Sequence, residues 1–162
     1  MATTIIRDAT PLDLPALVTL WQALVAHHAG DGDPLWAVAP HAPETYAAFL
    51  RQQMGLRRAK VLVAQGPDGV DGYLVGAIGQ RAAVWAQREI GMVFDLVVRP
   101  EARRGGVATR LLDAASVFFA ARGVTWVQVN YAPANAEAAG FWTARGFRPL
   151  LIEAYRAPGE SC

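Results

Sequence analysis

Residues 101–112, EARRGGVATRLL, run two arginines into two glycines where a helix is predicted to begin. A helix N-terminus presents N–H groups without partners and the positive end of the backbone dipole, so it attracts anions, phosphate above all. Gly105 and Gly106 let an anion approach the backbone because no Cβ stands in the way. Arg103 and Arg104 add charge and directed donors. Val107, Ala108 and Thr109 supply first-turn amides and a hydroxyl. The stretch reads as a diphosphate cradle; the competing reading is an ordinary strand-to-helix turn with solvated arginines. Neither G-x-x-x-x-G-K-[ST] nor G-x-G-x-x-G occurs, so the nucleotide loops with those patterns are not indicated.

A second chemical feature precedes the turn. Asp95 interrupts IGMVFDLVV (90–98), a run apolar enough for a strand covered on both faces. A carboxylate buried there needs a partner or a function.

The elements that must position these residues follow from periodicity. TTIIR (3–7) is a short β-branched strand. Thr10, Pro11 and Asp13 form a helix start, and Leu14, Leu17, Val18, Trp21, Leu24 and Val25 continue it at three- and four-residue spacing to about His28. Residues 29–43 are dense in Gly, Pro and Asp and read as loop, followed by a helix over 44–57. KVLVAQ and GYLVGAIG flank GPDGVDG as a hairpin. After the 90–98 strand and the helix behind EARRGG come a strand over 124–131, a helix over 135–145 and a final strand, FRPLLIEAY. The expected fold is α/β (mixed α+β) in the order βααβββαβαβ, as a single domain over residues 1–162.

Composition bounds the function. A chain of 162 residues with 53% hydrophobic and 18% charged residues is globular and long enough for a sizeable core. A formal net charge of +1 argues against broad electrostatic binding to nucleic acid or to an anionic membrane. The one cysteine, Cys162, excludes a disulfide framework, and His27, His28 and His41 lack partners at metal-ligand spacing, so no metal is expected. There is no signal-peptide pattern and no run of 18 apolar residues, so a cytoplasmic location is expected.

On two motifs the chain resembles the GNAT superfamily of acetyl-CoA-dependent N-acetyltransferases. LVVRP (96–100) followed by Arg103, Gly106 and Ala108 is similar to the family's strand and [RQ]-x-x-G-x-[GA] turn. Asn135, Ala138, Phe141, Trp142, Gly146 and Phe147 match its second motif. The resemblance implies a central mixed sheet flanked by helices, with acetyl-CoA as cosubstrate and an amine as acceptor. Leu96, Val97 and Val98 would pair with the pantetheine arm through their backbone, and residues Arg103–Thr109 would hold the diphosphate. Asn135 and Trp142 would border the pantetheine region. An N–H of Val97 or Val98 would face the acetyl oxygen.

The resemblance also implies roles for carboxylates. Asp95 stands where relatives carry one facing the acceptor amine; the alternative is a structural carboxylate bonded to a neighbouring turn. Glu89 is a second base candidate, or a solvated hairpin residue. Many relatives use a tyrosine acid at the position of Trp142, and some a strand carboxylate at that of Asn130; Tyr131 is a substitute acid, or an ordinary strand-end aromatic. Asp31, Asp33, Trp36, Tyr46 and Trp85 are candidate walls of the acceptor pocket, with both aspartates otherwise shaping a Gly-rich turn. The expected activity is direct acetyl transfer to a primary amine of a small molecule or, second, of a protein. The alternative is an acyl-CoA-binding sensor or interaction module of the same fold. A homodimer is implied by the resemblance alone.

Overall fold

The computed structural model describes residues 4–30 and 32–159. Asp31 and Cys162 lie outside the described residues. The chain divides into two compact units, Met1–Asn130 and Tyr131–Cys162. The first contains β1 (Ile5–Asp8), α1 (Leu14–Ala29), α2 (Ala42–Gly55), β2 (Ala59–Gly66), β3 (Gly69–Gln80), β4 (Glu89–Val98), α3 (Val107–Ala120) and β5 (Val127–Val129). The second contains α4 (Ala136–Ala144). Single 3₁₀ turns at Pro11–Asp13, Pro34–Trp36 and Pro100–Ala102 each begin at a proline, whose fixed φ suits a first helical position.

The five strands form one mixed sheet in sequential order. The first three pairings are antiparallel and β4 runs parallel to β5. Thr10 and Asp13 set the start of α1 as expected: the Thr10 N–H donates to Asp13 Oδ2 at 2.7 Å, and Arg7 grips both Asp13 oxygens at 2.8 and 2.7 Å. Leu14 and Leu17 then pack with Tyr46 and Leu50 of α2 against Val61, Val63, Tyr73, Val75 and Val97 of the sheet. From α3 the inward stripe is Val107, Leu111, Leu112, Ala115, Phe118 and Phe119. A Cβ on Gly91 would meet the Phe119 ring at 3.0 Å and one on Gly76 at 3.3 Å, so two glycines on adjacent strands admit this ring.

In the second unit Asn135 caps α4, its Oδ1 accepting from the Ala138 N–H at 3.0 Å. The helix stops at Gly146, which takes φ of +85°. The Phe147 N–H bonds back to the Trp142 carbonyl and the Gly146 N–H to that of Thr143, both at 3.0 Å, with the Phe147 and Trp142 rings 5.0 Å apart. That is a Schellman ending with its hydrophobic contact.

Two expectations fail at the C-terminal side. The strand expected over 124–131 forms only at Val127–Val129, and the one expected over FRPLLIEAY does not form, so the order is βααβββαβα. Pro149 cannot donate to a ladder, and among its described residues the second unit contains no strand for the run to pair with. Leu150, Leu151 and Ile152 are 72%, 87% and 87% exposed. Apolar composition marked a strand, but a strand requires a partner.

Candidate active site

The site begins with one surplus residue in β4. Val75 pairs with Asp95 and Gly76 with Val93, so Phe94 is an unpaired bulge. A bulge bends its strand and re-aims side chains. Here two consecutive residues turn towards α2. The Phe94 ring meets Phe49 edge-on at 5.9 Å, and Asp95 Oδ2 accepts from the Tyr46 hydroxyl at 2.7 Å.

On its other side β4 pairs with β5 only at Gly91, Met92 and Val93. Beyond that point the strands part around a cavity of about 160 Å³ lined by residues 92–95 and 128–130. The splay accounts for the shortness of β5. Among the described residues, it also leaves the last part of β4 without a strand partner on that edge. The Arg99 N–H bonds the Asp71 carbonyl at 2.9 Å, and a Cβ on Gly72 would stand 2.5 Å from the Val97 carbonyl oxygen, so Val97 and Arg99 direct their backbone groups to β3. Alternation turns the groups of Leu96 and Val98 to the open edge. There the Val98 carbonyl accepts from Arg103 Nε at 3.2 Å.

The arginine–glycine turn follows directly. Arg103, Arg104, Gly105 and Gly106 are exposed, and Arg104 and Gly106 both take left-handed backbone, with φ of 63° and 75°. Positive φ at a non-glycine residue is uncommon and costly unless its surroundings hold it. Gly106 is the N-cap of α3 and contributes no side chain. The helical ladder opens with the Arg110 N–H on the Gly106 carbonyl, which leaves the Val107, Ala108 and Thr109 amides ahead of it. Space beside Gly106 is open, with nothing within 4 Å of a Cβ placed there. Two bonds anchor this loop from below. Besides its backbone bond, Arg99 places Nη2 2.6 Å from Asp71 Oδ1, and Thr4 donates to Asp71 Oδ2 at 3.0 Å.

Asp95 is the acidic centre of the cavity. The Tyr46 and Tyr73 hydroxyls lie 2.8 Å apart, so the proton order Tyr73 to Tyr46 to Asp95 satisfies all three groups. Burial pushes the Asp95 carboxyl above the usual carboxylate range, against the Tyr46 hydrogen bond and the His28 charge, which pull it down. Burial first, and the negative charge of Asp95 with it, raises both phenols and keeps them protonated. His28 is pushed down by burial and by His27, while Asp95 pulls it up. Its ring stacks on Trp36 at 4.7 Å. Trp21 stacks on Tyr46 at 4.5 Å.

The other expected site residues fall in different places. Glu89 begins β4, six residues from Asp95 or roughly 20 Å of extended strand, and is ion-paired with Arg58 at 2.6 Å. Asp33 is exposed and accepts from the Leu35 N–H at 2.9 Å, which makes it the cap of the Pro34–Trp36 turn. Trp85 is exposed on the β3–β4 connection under the Arg81 guanidinium, 4.8 Å from its ring centre. In the second unit Tyr131 is half-buried ahead of α4. Trp142 is 6% exposed between Phe141 and Phe147, so it serves as that unit's aromatic core. Tyr73 and the bulge at Phe94 escaped the sequence reading. A tyrosine within the aliphatic run GYLVGAIG was the available signal for the first; the bulge has no local signal. Among the described residues no group of three or more His, Cys, Asp or Glu side chains is placed to hold a metal ion, and no helix is long and apolar enough to cross a membrane.

Several solved structures share this fold. A Bacillus halodurans protein solved as a tetramutant superposes with a TM-score of 0.83 at 20% identity, over 95% of this chain and 99% of that one. The aminoglycoside N-acetyltransferase AAC(6')-Iy in complex with CoA gives 0.78 at 16% identity, over 98% and 97%. An aminoglycoside 6'-N-acetyltransferase from Acinetobacter haemolyticus gives 0.74 at 18% identity, over 97% and 99%. At such identities the likeness is one of fold. No curated protein matches by sequence. The sequence profile of the acetyltransferase (GNAT) domain, however, matches residues 57–149, from β2 through α4 and so across the bulge, the splay and the arginine–glycine turn. With more than half of its length matched, the chain belongs to the GNAT acetyltransferase family.

Proposed function

We propose that the chain, as a single acetyltransferase domain, moves the acetyl group of acetyl-CoA directly to a primary amine of a small molecule. The observation that carries this reading is the continuity of one track: the cavity at Asp95, the open edge at Leu96 and Val98, and the exposed turn tied to Val98 by Arg103. The residues suit acetyl-CoA. Open space at Gly106 and the first amides of α3 fit a diphosphate, and an unpaired strand edge fits the amide groups of a pantetheine arm.

Acetyl-CoA supplies an activated acyl group whose thiolate is a fairly good leaving group. The chain's residues do the rest. Asp95, raised by burial towards the working pH, accepts a proton from the acceptor ammonium and leaves a neutral nitrogen. Backbone N–H groups on the open edge of β4 face the carbonyl oxygen as it gains charge. The new C–N bond forms as the C–S bond breaks, and the second nitrogen proton leaves with the thiol. Tyr46 and Tyr73 fix the carboxylate for this role. Structures of the similarly folded AAC(6')-Iy with CoA and with a bisubstrate analogue built on acetylneamine support the reaction class.

The burial of Trp142 at the family's tyrosine position favours a second reading, a sensor that binds acyl-CoA without turnover. Thermal unfolding with saturating acetyl-CoA, with ATP and NAD as controls, comes first. A ligand at 100 times its Kd adds about 2.7 kcal/mol, a rise of several degrees. Acetyl-CoA alone is expected to stabilise the parent, and Gly106→Trp is expected to lose that shift. Thiol release on adding amines then separates the enzyme from the sensor. Equal stabilisation of the Gly106→Trp chain would overturn the cradle.

A further inference from the structure

The surroundings of Asp95 bear on the body that carries the amine. Among the described residues they form an arc of rings beside the Asp95 carboxylate. Trp21 stacks on Tyr46, Tyr46 lies 5.8 Å from Phe49, and Phe49 meets Phe94 edge-on. Phe94 adjoins Asp95 in sequence and the bulge gives the two a common face. On α1, His28 feels the Asp95 charge and stacks on Trp36. Two rings of this group remain open to solvent, Phe94 at 41% and Trp36 at 42%. Among the described residues, the groups that bear on the Asp95 charge are His28 from α1, Tyr46 from α2 and Tyr73 from β3, and none of these is a carboxylate.

Such a site is matched to one positive charge beside an apolar body. An ammonium gains Asp95 as a partner and the face of a ring as a second attraction. A flat or bulky apolar group gains contact with Phe94 and Trp36. Additional ammonium groups on the same acceptor would meet ring faces and an imidazole without a second carboxylate, so the loss of their water there would be only partly offset. Resting on the assignment of Asp95 to the amine, we infer that the acceptor is a monoamine with an aryl or bulky aliphatic body, selected by Phe94 and Trp36, and not a polyamine or an aminoglycoside.

The test is thiol release by the full chain at saturating acetyl-CoA with 2-phenylethylamine, spermidine and neamine as probes. The expected result is a kcat/KM for 2-phenylethylamine at least ten-fold above the other two. Phe94→Ala and Trp36→Ala, both at partly exposed positions, should shrink that ratio towards one, with acetyl-CoA affinity unchanged in Trp36→Ala. Spermidine or neamine leading, or a ratio indifferent to both substitutions, overturns the inference. If acetyl-CoA binds but no amine is acetylated, the enzyme reading fails separately. Calorimetry with CoA present then decides the inference: binding of 2-phenylethylamine over spermidine sustains it, and binding of neither overturns it.

Discussion

Asp95 is held in a form that costs the fold and serves the chemistry. Its carboxyl is raised by burial, so the folded chain holds this proton more tightly than the unfolded chain does. Stability contributed by the protonated form is present at acid pH and is lost as pH rises from the usual carboxylate range through the raised folded value. Asp95→Asn removes that loss, and its amide oxygen still accepts from Tyr46. The variant is expected to unfold at or above the parent's temperature at pH 7, with turnover down by about 100-fold or more and acetyl-CoA affinity unchanged. Urea melts across pH 4–8, run beside thiol-release rates, check both halves. Full activity in the variant would remove Asp95 from proton transfer. Arg104, in left-handed backbone at the turn, is a second residue held against the preference of its type.

At the scale of elements, the phosphate turn depends on a buried pair beneath it. Asp71 is itself a bulge residue, since Ala64 pairs with Gly72 and Gln65 with Val70. It is 4% exposed and binds Arg99 through both carboxylate and backbone. Asp71→Ala leaves the Arg99 charge partly buried without this acid, at a cost of about 2 kcal/mol. The expected readout is weaker acetyl-CoA binding with kcat for saturated enzyme retained, and partial rescue in Asp71→Glu. A fall in kcat with unchanged acetyl-CoA affinity would contradict the positioning role.

Sequence legibility divides at the same scale. The start of α1, the β2–β3 hairpin, the α3 turn and the Asn135 to Phe147 motif were readable because their bonds join residues within a few positions. The motif proved in large part to be a helix cap and a helix stop, which its spacing alone does not distinguish from ligand contacts. Tyr73 beside Asp95, the bulge at Phe94 and the early end of β5 depend on register between distant strands. No local pattern encodes that. The run 150–155 failed for the complementary reason: its composition is strand-like, but strand identity is conferred by a neighbour.

Across the whole molecule, stability in acid should follow Asp13. The Arg7 hydrogen bond pulls its carboxyl down to about 2, with further help from Thr10. A lowered carboxyl stabilises above the unfolded value and loses that contribution as pH falls towards 2, here worth about 2 kcal/mol. Asp13→Asn should therefore unfold earlier than the parent at pH 6, with the two urea curves converging near pH 2; a constant gap would rule out the linkage. The bulge in β4 has a consequence for the sheet as a whole. Gly91 lies against Phe119 of α3, and Val97, six positions on, enters the core of α1 and α2. In an unbroken strand an even separation means one common side. Phe94 inverts the parity, so every residue after it is assigned to a layer by a count that includes one extra step. Surface loops tolerate a gained or lost residue, but one lost from 93–95 would exchange the two layers' side chains for the remainder of the strand. Length, more than residue type, is what this stretch has to conserve.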